Sequence, residues 1–184
     1  MPRFIKILFP IIFLASCGLK PSIEDPKLSD RVFSLEEFFD GKTVAHGQFQ
    51  DVLGNVSLRF LVNIKGSWDG SDLVLVEDFT YEDGYEEQRI WTLTKIGENG
   101  WAGSAEGVIG TAEGKTNGDM FYWAYTIDLP TPNGKRRVSF KDYMWMLSDT
   151  RVLNKAYMSK WGICLLYTSP SPRDLSTSRM PSSA

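Results

Sequence analysis

The clearest pattern of apolar and polar positions lies in residues 58–95. Leu58, Phe60, Val62 and Ile64 alternate with Arg59, Asn63 and Lys65, the period-two signature of a strand with one buried face. Asp69-Gly70 follows, and glycine supplies the positive φ of a tight hairpin. A second run spans Leu73 to Phe79, then comes Asp83-Gly84, and a third run spans Gln88 to Lys95. The block predicts three antiparallel strands and two short turns.

The same reading extends along the chain. Strands are predicted over roughly 43–50, 56–66, 72–80, 86–96, 100–106, 109–115, 120–129, 135–143 and 151–160. Asp51 to Asn55, Asn99-Gly100, Asn117-Gly118 and Asn133-Gly134 mark turns. Before them, Ser34 can cap a short helix through Leu35, Phe38 and Phe39, with Glu37 completing a capping box and Gly41 ending it. No long amphipathic helix separates the strands, which argues against a parallel α/β sheet. The prediction is an all-β fold: an antiparallel up-and-down meander of about nine strands, forming a barrel or half-barrel behind a short N-terminal helix. A two-sheet sandwich is the alternative.

Composition narrows the function. Aromatic residues make up 13 % of the chain and fall within the strand runs, which suits a β fold. Net charge is −3 with both signs interspersed, so no basic stripe points to a nucleic-acid partner.

The N-terminus reads as an export signal. Arg3 and Lys6 precede the apolar run Ile7 to Leu14, too brief to span a bilayer as a helix. Leu14-Ala15-Ser16-Cys17 follows and resembles the lipobox of bacterial lipoproteins at all four positions. That resemblance implies cleavage before Cys17 and acylation of its thiol, with more than one acyl chain for stable attachment. Gly18 rather than aspartate follows the cysteine, which by the same resemblance implies the outer membrane, facing the periplasm. Residues 1–16 are thus expected to be a signal peptide, 17–32 a lipidated flexible tether with Pro21 and Pro26, and 33–163 the barrel.

Residues 164–184 are rich in Ser and Pro and lack strand alternation, so they are expected to be disordered. They also resemble translated adapter sequence at the ends of unrelated chains, so the tail reads as non-native. On that reading the native closing strand is absent and a sheet edge is left unpaired. Cys17 is assigned to lipid and Cys164 to the tail, so no structural disulfide is expected.

Residues 35–163 resemble a family of proteobacterial lipoproteins known as domain of unknown function 3833. The likeness rests on Phe39-Asp40-Gly41, Gly47-Gln48-Phe49-Gln50-Asp51, Gly66-Ser67-Trp68-Asp69-Gly70, Arg89-Ile90-Trp91-Thr92-Leu93 and Met158-Ser159-Lys160-Trp161-Gly162-Ile163, among other segments. The family brings no activity with it. Its strand pattern looks like a lipocalin-type barrel, which by fold analogy implies a small lipophilic ligand.

Candidate chemistry is sparse. His46 is the sole histidine and has no partners for a metal site or triad. Asp78, Glu82, Asp83, Glu86 and Glu87 surround one hairpin with spacing unlike a calcium loop. The Gly-rich runs at 107–114 precede no helix, so they are not phosphate loops, and no Gly-x-Ser-x-Gly elbow occurs. No metal, cofactor or catalytic residue is expected. An enzyme would have to use barrel carboxylates such as Glu77 or Asp142, and a buried carboxyl of raised pKa in a pocket would favour it. Glu77 and Arg89 can pair across adjacent strands and orient a ligand carboxylate. With Phe79, Trp91, Trp123, Tyr125, Phe140 and Trp145 they are the candidate lining of a ligand cavity. The competing expectation is a structural or adaptor lipoprotein with a solid core, docking an unknown envelope protein.

Overall fold

The computed structural model describes residues 20–131, 134–170 and 177–179. The expected signal peptide and Cys17 lie outside them. Helix α1 (Leu35–Phe39) leads into strands β1 (Gly41–Asp51), β2 (Val56–Trp68), β3 (Asp72–Tyr81), β4 (Glu86–Ile96) and β5 (Gly100–Ala105). Strands β6 (Ala112–Asn117), β7 (Met120–Thr131), β8 (Gly134–Ser148), β9 (Arg151–Lys160), β10 (Ile163–Pro170) and β11 (Thr177–Arg179) complete the chain. Consecutive strands from β1 to β10 pair antiparallel, and β10 and β11 both return to β1. The result is a closed, lipocalin-like all-β barrel.

The closing stave corrects the expectation for the tail. β10 pairs with β9 and with the far half of β1, placing Phe49 opposite Thr168 and Asp51 opposite Leu166. β11 fills the near half, placing Thr43 opposite Arg179. Strand edges on β1 and β9 present unpaired amides and carbonyls, and the segment from Ile163 satisfies them despite its Ser and Pro content. A register shift between Cys164 and Leu166 lets Leu166 and Thr168 line the interior while Cys164 packs outside. Cys164 is buried and disulfide-bonded, contrary to the expected absence of a structural disulfide.

The segment before α1 also differs from a free tether. Asp119, itself 1 % exposed, accepts hydrogen bonds from the amides of Leu28 and Ser29 at 2.8 and 2.9 Å. Ser29 Oγ donates to Met146 O, Phe33 N to Gly118 O, and Asn117 Nδ2 to Ile23 O. Residues from about 22 onward therefore lie bound against the turns at one end of the barrel.

Helix α1 closes that end. Ser34 caps it by accepting from Glu37 N, and Leu35, Phe38 and Phe39 turn inward. They join Phe33, Trp101, Phe121 and Trp123 in the main core. Gly66 on β2 permits this seat: a Cβ there would lie 1.9 Å from Phe39 O. The glycines of β5 and β6 serve packing as well. A Cβ on Gly103 or Gly114 would come within 2.6 Å of the Trp123 indole, so the ring lies directly against the backbone.

Candidate functional site: an acid-lined barrel cavity

Above this plug the interior is open, not the solid core of the adaptor expectation. A cavity of about 1060 Å³ runs from Leu35, Phe39 and Phe121 to the opposite rim. It reaches the surface between the β3–β4 hairpin, at Asp83 and Tyr85, and the end of β7, at Pro130 and Thr131. A volume of this size suits a small-molecule site.

Strand alternation puts Phe79, Trp91, Trp123, Tyr125 and Phe140 on the cavity wall, together with Glu77 and Arg89. Trp91 meets Trp123 and Tyr125 edge-on at 5.5 and 5.0 Å, and Tyr125 stacks on Phe140 at 5.1 Å. Trp145 does not join them. On β8 the even positions 140, 142 and 144 line the cavity, so Trp145 points outward and packs with Met120, Tyr143, Tyr157 and Cys164 under Ile23. Aromatics occupy both faces of this strand, and the docked N-terminal segment buries the outer set.

The polar wall differs from the expected Glu77–Arg89 pair. These residues are opposite one another in the β3–β4 ladder. Arg89 Nη2, however, donates to Glu87 Oε1 at 2.5 Å, and its guanidinium lies 5.2 Å from the Phe79 ring centroid. Tyr81 Oη donates to the other oxygen of Glu87 at 3.4 Å. Glu87 thus leaves the hairpin's acidic cluster and faces inward, while Asp78 is held outside by Gln88.

Burial pushes the Glu77 carboxyl up to about 7; Arg89 opposes the shift, Glu87 adds to it, and the Trp91 side chain donates a hydrogen bond to Glu77. Asp142 on β8 is also pushed up to about 7, by burial and by the charge of Glu77, against Arg89. Burial opposes the charge of Arg89 as well, but Tyr125, Glu87 and Glu77 together hold its pKa above the ordinary value. Tyr125 is raised well above the usual phenol range, by burial and then Asp142. Glu87 and Tyr81 were not singled out from the sequence as cavity residues; their two-residue spacing from Arg89 and Phe79 was the available signal.

The remaining candidates take plain positions. His46 lies on β1 between the inward positions Ala45 and Gly47, facing away from the cavity. Among the described residues no group of His, Cys, Asp and Glu could hold a metal ion.

The barrel is similar to an S-type phycobiliprotein lyase from Guillardia theta. The match has a TM-score of 0.58 at 13 % identity and covers 83 % of this chain and 95 % of that one. This likeness shows the fold. No curated protein matches the chain in sequence. Residues 11–167 match the family described as "Protein of unknown function (DUF3833)", a span that includes every strand from β1 to β9, and the chain belongs to that family.

Proposed function

We propose that the protein is a lipid-anchored envelope protein that holds a small lipophilic ligand inside its barrel. The observation that carries the reading is the cavity of about 1060 Å³, walled by aromatic rings and open at one rim. Its charges refine the ligand. Among the described residues, Glu77, Asp83, Glu87 and Asp142 line it beside one cation, Arg89, and Glu87 occupies that cation. A fatty-acid carboxylate would meet a net acidic wall, so the ligand is neutral or basic at its polar end.

Displacement of a neutral solvatochromic dye from the purified chain tests this. Dodecanol and dodecylamine are expected to compete and dodecanoate to compete poorly. Failure of the chain to take up the dye, with native mass spectra showing an empty protein, would overturn the reading.

Anchoring is proposed from Leu14-Ala15-Ser16-Cys17 and the apolar run before it, with the outer membrane, periplasmic side, as the destination. One sulfur cannot carry both a thioether lipid and a disulfide, and the chain holds two cysteines. Intact mass under non-reducing conditions therefore decides between them: acylation at Cys17 adds the lipid mass, and a disulfide does not. A chain of unmodified mass that stays soluble would overturn the anchor.

A second reading is favoured by the two raised carboxyls. Glu77 or Asp142 could act as a general acid or base near neutral pH. A bound ligand whose mass changes with the wild-type chain but not with Glu77→Gln or Asp142→Asn would establish it.

A further inference from the structure

We propose that the open end of the barrel docks, on one side of its mouth, against an anionic lipid surface. This inference goes beyond the ligand reading and does not depend on it. The antiparallel order places the β1–β2, β7–β8 and β9–β10 turns at the same end as the mouth, on neighbouring strands. Leu53 in the first turn is 83 % exposed and Trp161 in the last is 89 % exposed. Val52 and Ile163 flank them and are exposed too.

Trp161 has a φ of 53°, the one non-glycine in the left-handed region among the described residues, and Gly162 follows at 79°. A bulky residue is costly in that conformation. The two-residue β9–β10 hairpin, which pairs Lys160 with Ile163, requires positive φ at both turn residues, and the indole it carries stands outward, with Lys160 Nζ 4.6 Å from the ring centroid. The turn holds an aromatic ring clear of the barrel, where tryptophan suits a lipid–water boundary.

Charge identifies the partner. Lys135, Arg136, Arg137 and Lys160 surround a surface groove of about 640 Å³ with Trp161. Asp128 is already held by Arg137 through two bonds of 2.8 Å. The groove thus offers three cations beyond the Asp128–Arg137 pair, Lys135, Arg136 and Lys160, beside exposed apolar tips, the combination that attracts anionic headgroups and then inserts shallowly. Asp83 and Glu86 lie on the far side of the mouth, on the β3–β4 hairpin, so the contact is one-sided and the barrel tilts with that hairpin raised from the surface. The mouth then opens beside the lipid.

Trp161 is its own reporter, since Trp91, Trp101, Trp123 and Trp145 are buried and Trp68 is partly so. The full chain is reconstituted with phosphatidylcholine vesicles carrying brominated acyl chains, with and without phosphatidylglycerol. The expected result is quenching of a fluorescence component that Trp161→Phe removes. The component should weaken several-fold without the anionic lipid, or when Lys135, Arg136 and Lys160 are all changed to Glu. The thermal unfolding transition of each variant verifies its barrel, and dye uptake measured without vesicles tests the cavity separately. A vesicle-attached chain whose Trp161 stays unquenched, or quenching indifferent to lipid charge and to the triple variant, would overturn the proposal, as would docking only to an acidic protein surface.

Discussion

Arg89 and Glu87 are two residues apart on β4, face the same cavity, and meet at 2.5 Å, although Glu77 stands directly across the ladder from Arg89. Both side chains of the pair are largely buried, so removing one strands the other. Arg89→Met should destabilise the barrel by about 3–5 kcal/mol. Changing Glu87 to Met as well should recover much of that loss. Urea unfolding of the single and double variants measures both.

Stability should fall as pH rises through the interval between the unfolded and folded pKa values of Glu77 and Asp142. In the unfolded chain these groups titrate near 4.5 and 3.8, and in the barrel near 7. The folded state therefore holds the extra protons. Its advantage from them is full below the unfolded values and is lost by about pH 7. The facing groups are Arg89, Glu87 and Trp91 on β4, Tyr125 on β7 and Tyr81 on β3. Of these Arg89 limits the shift and Glu87 enlarges that of Glu77. Thermal melts from pH 4 to 8 should show the decline, and Glu77→Gln with Asp142→Asn should flatten it.

Gly114→Ala tests the seat of Trp123. The added methyl would meet the indole at 2.6 Å and the Phe121 ring at 2.8 Å. Overpacking of this kind costs about 1–3 kcal/mol. A shifted tryptophan emission and a lower Tm should appear together, while Gly70→Ala, with open space around its Cβ, should leave the emission unchanged.

Asp119→Ala should free the N-terminal segment. It removes the acceptor for the amides of Leu28 and Ser29, a loss of about 1–3 kcal/mol. Limited proteolysis should then cut between residues 20 and 32 faster than in the wild type, with the barrel itself still resistant.

The meander was legible because its turns carry their own chemistry. Asp69-Gly70 and Asp83-Gly84 fall where β2 meets β3 and β3 meets β4, and Gly70 and Gly84 have the positive φ anticipated. Alternation likewise placed Glu77, Phe79, Arg89 and Trp91 on one wall. It failed at Trp145, because Tyr143 and Trp145 are as apolar as their inward neighbours and a separate segment covers them. Asp119 gave no signal, since its partners are backbone amides some ninety residues away. β10 was missed because composition speaks for how a segment behaves alone. Its strand forms to satisfy edges that other residues create.

That last stave sets the order of assembly. β1 is the first strand made, yet its outer edge is completed by β10 and β11, the last ones. Neighbouring hairpins can form as soon as both their strands exist, but the ring cannot close while any C-terminal residue of the stave is still to come. Until then the aromatic interior is an open, curled sheet rather than a container. The protein acquires an inside only when β10 and β11 have joined β1.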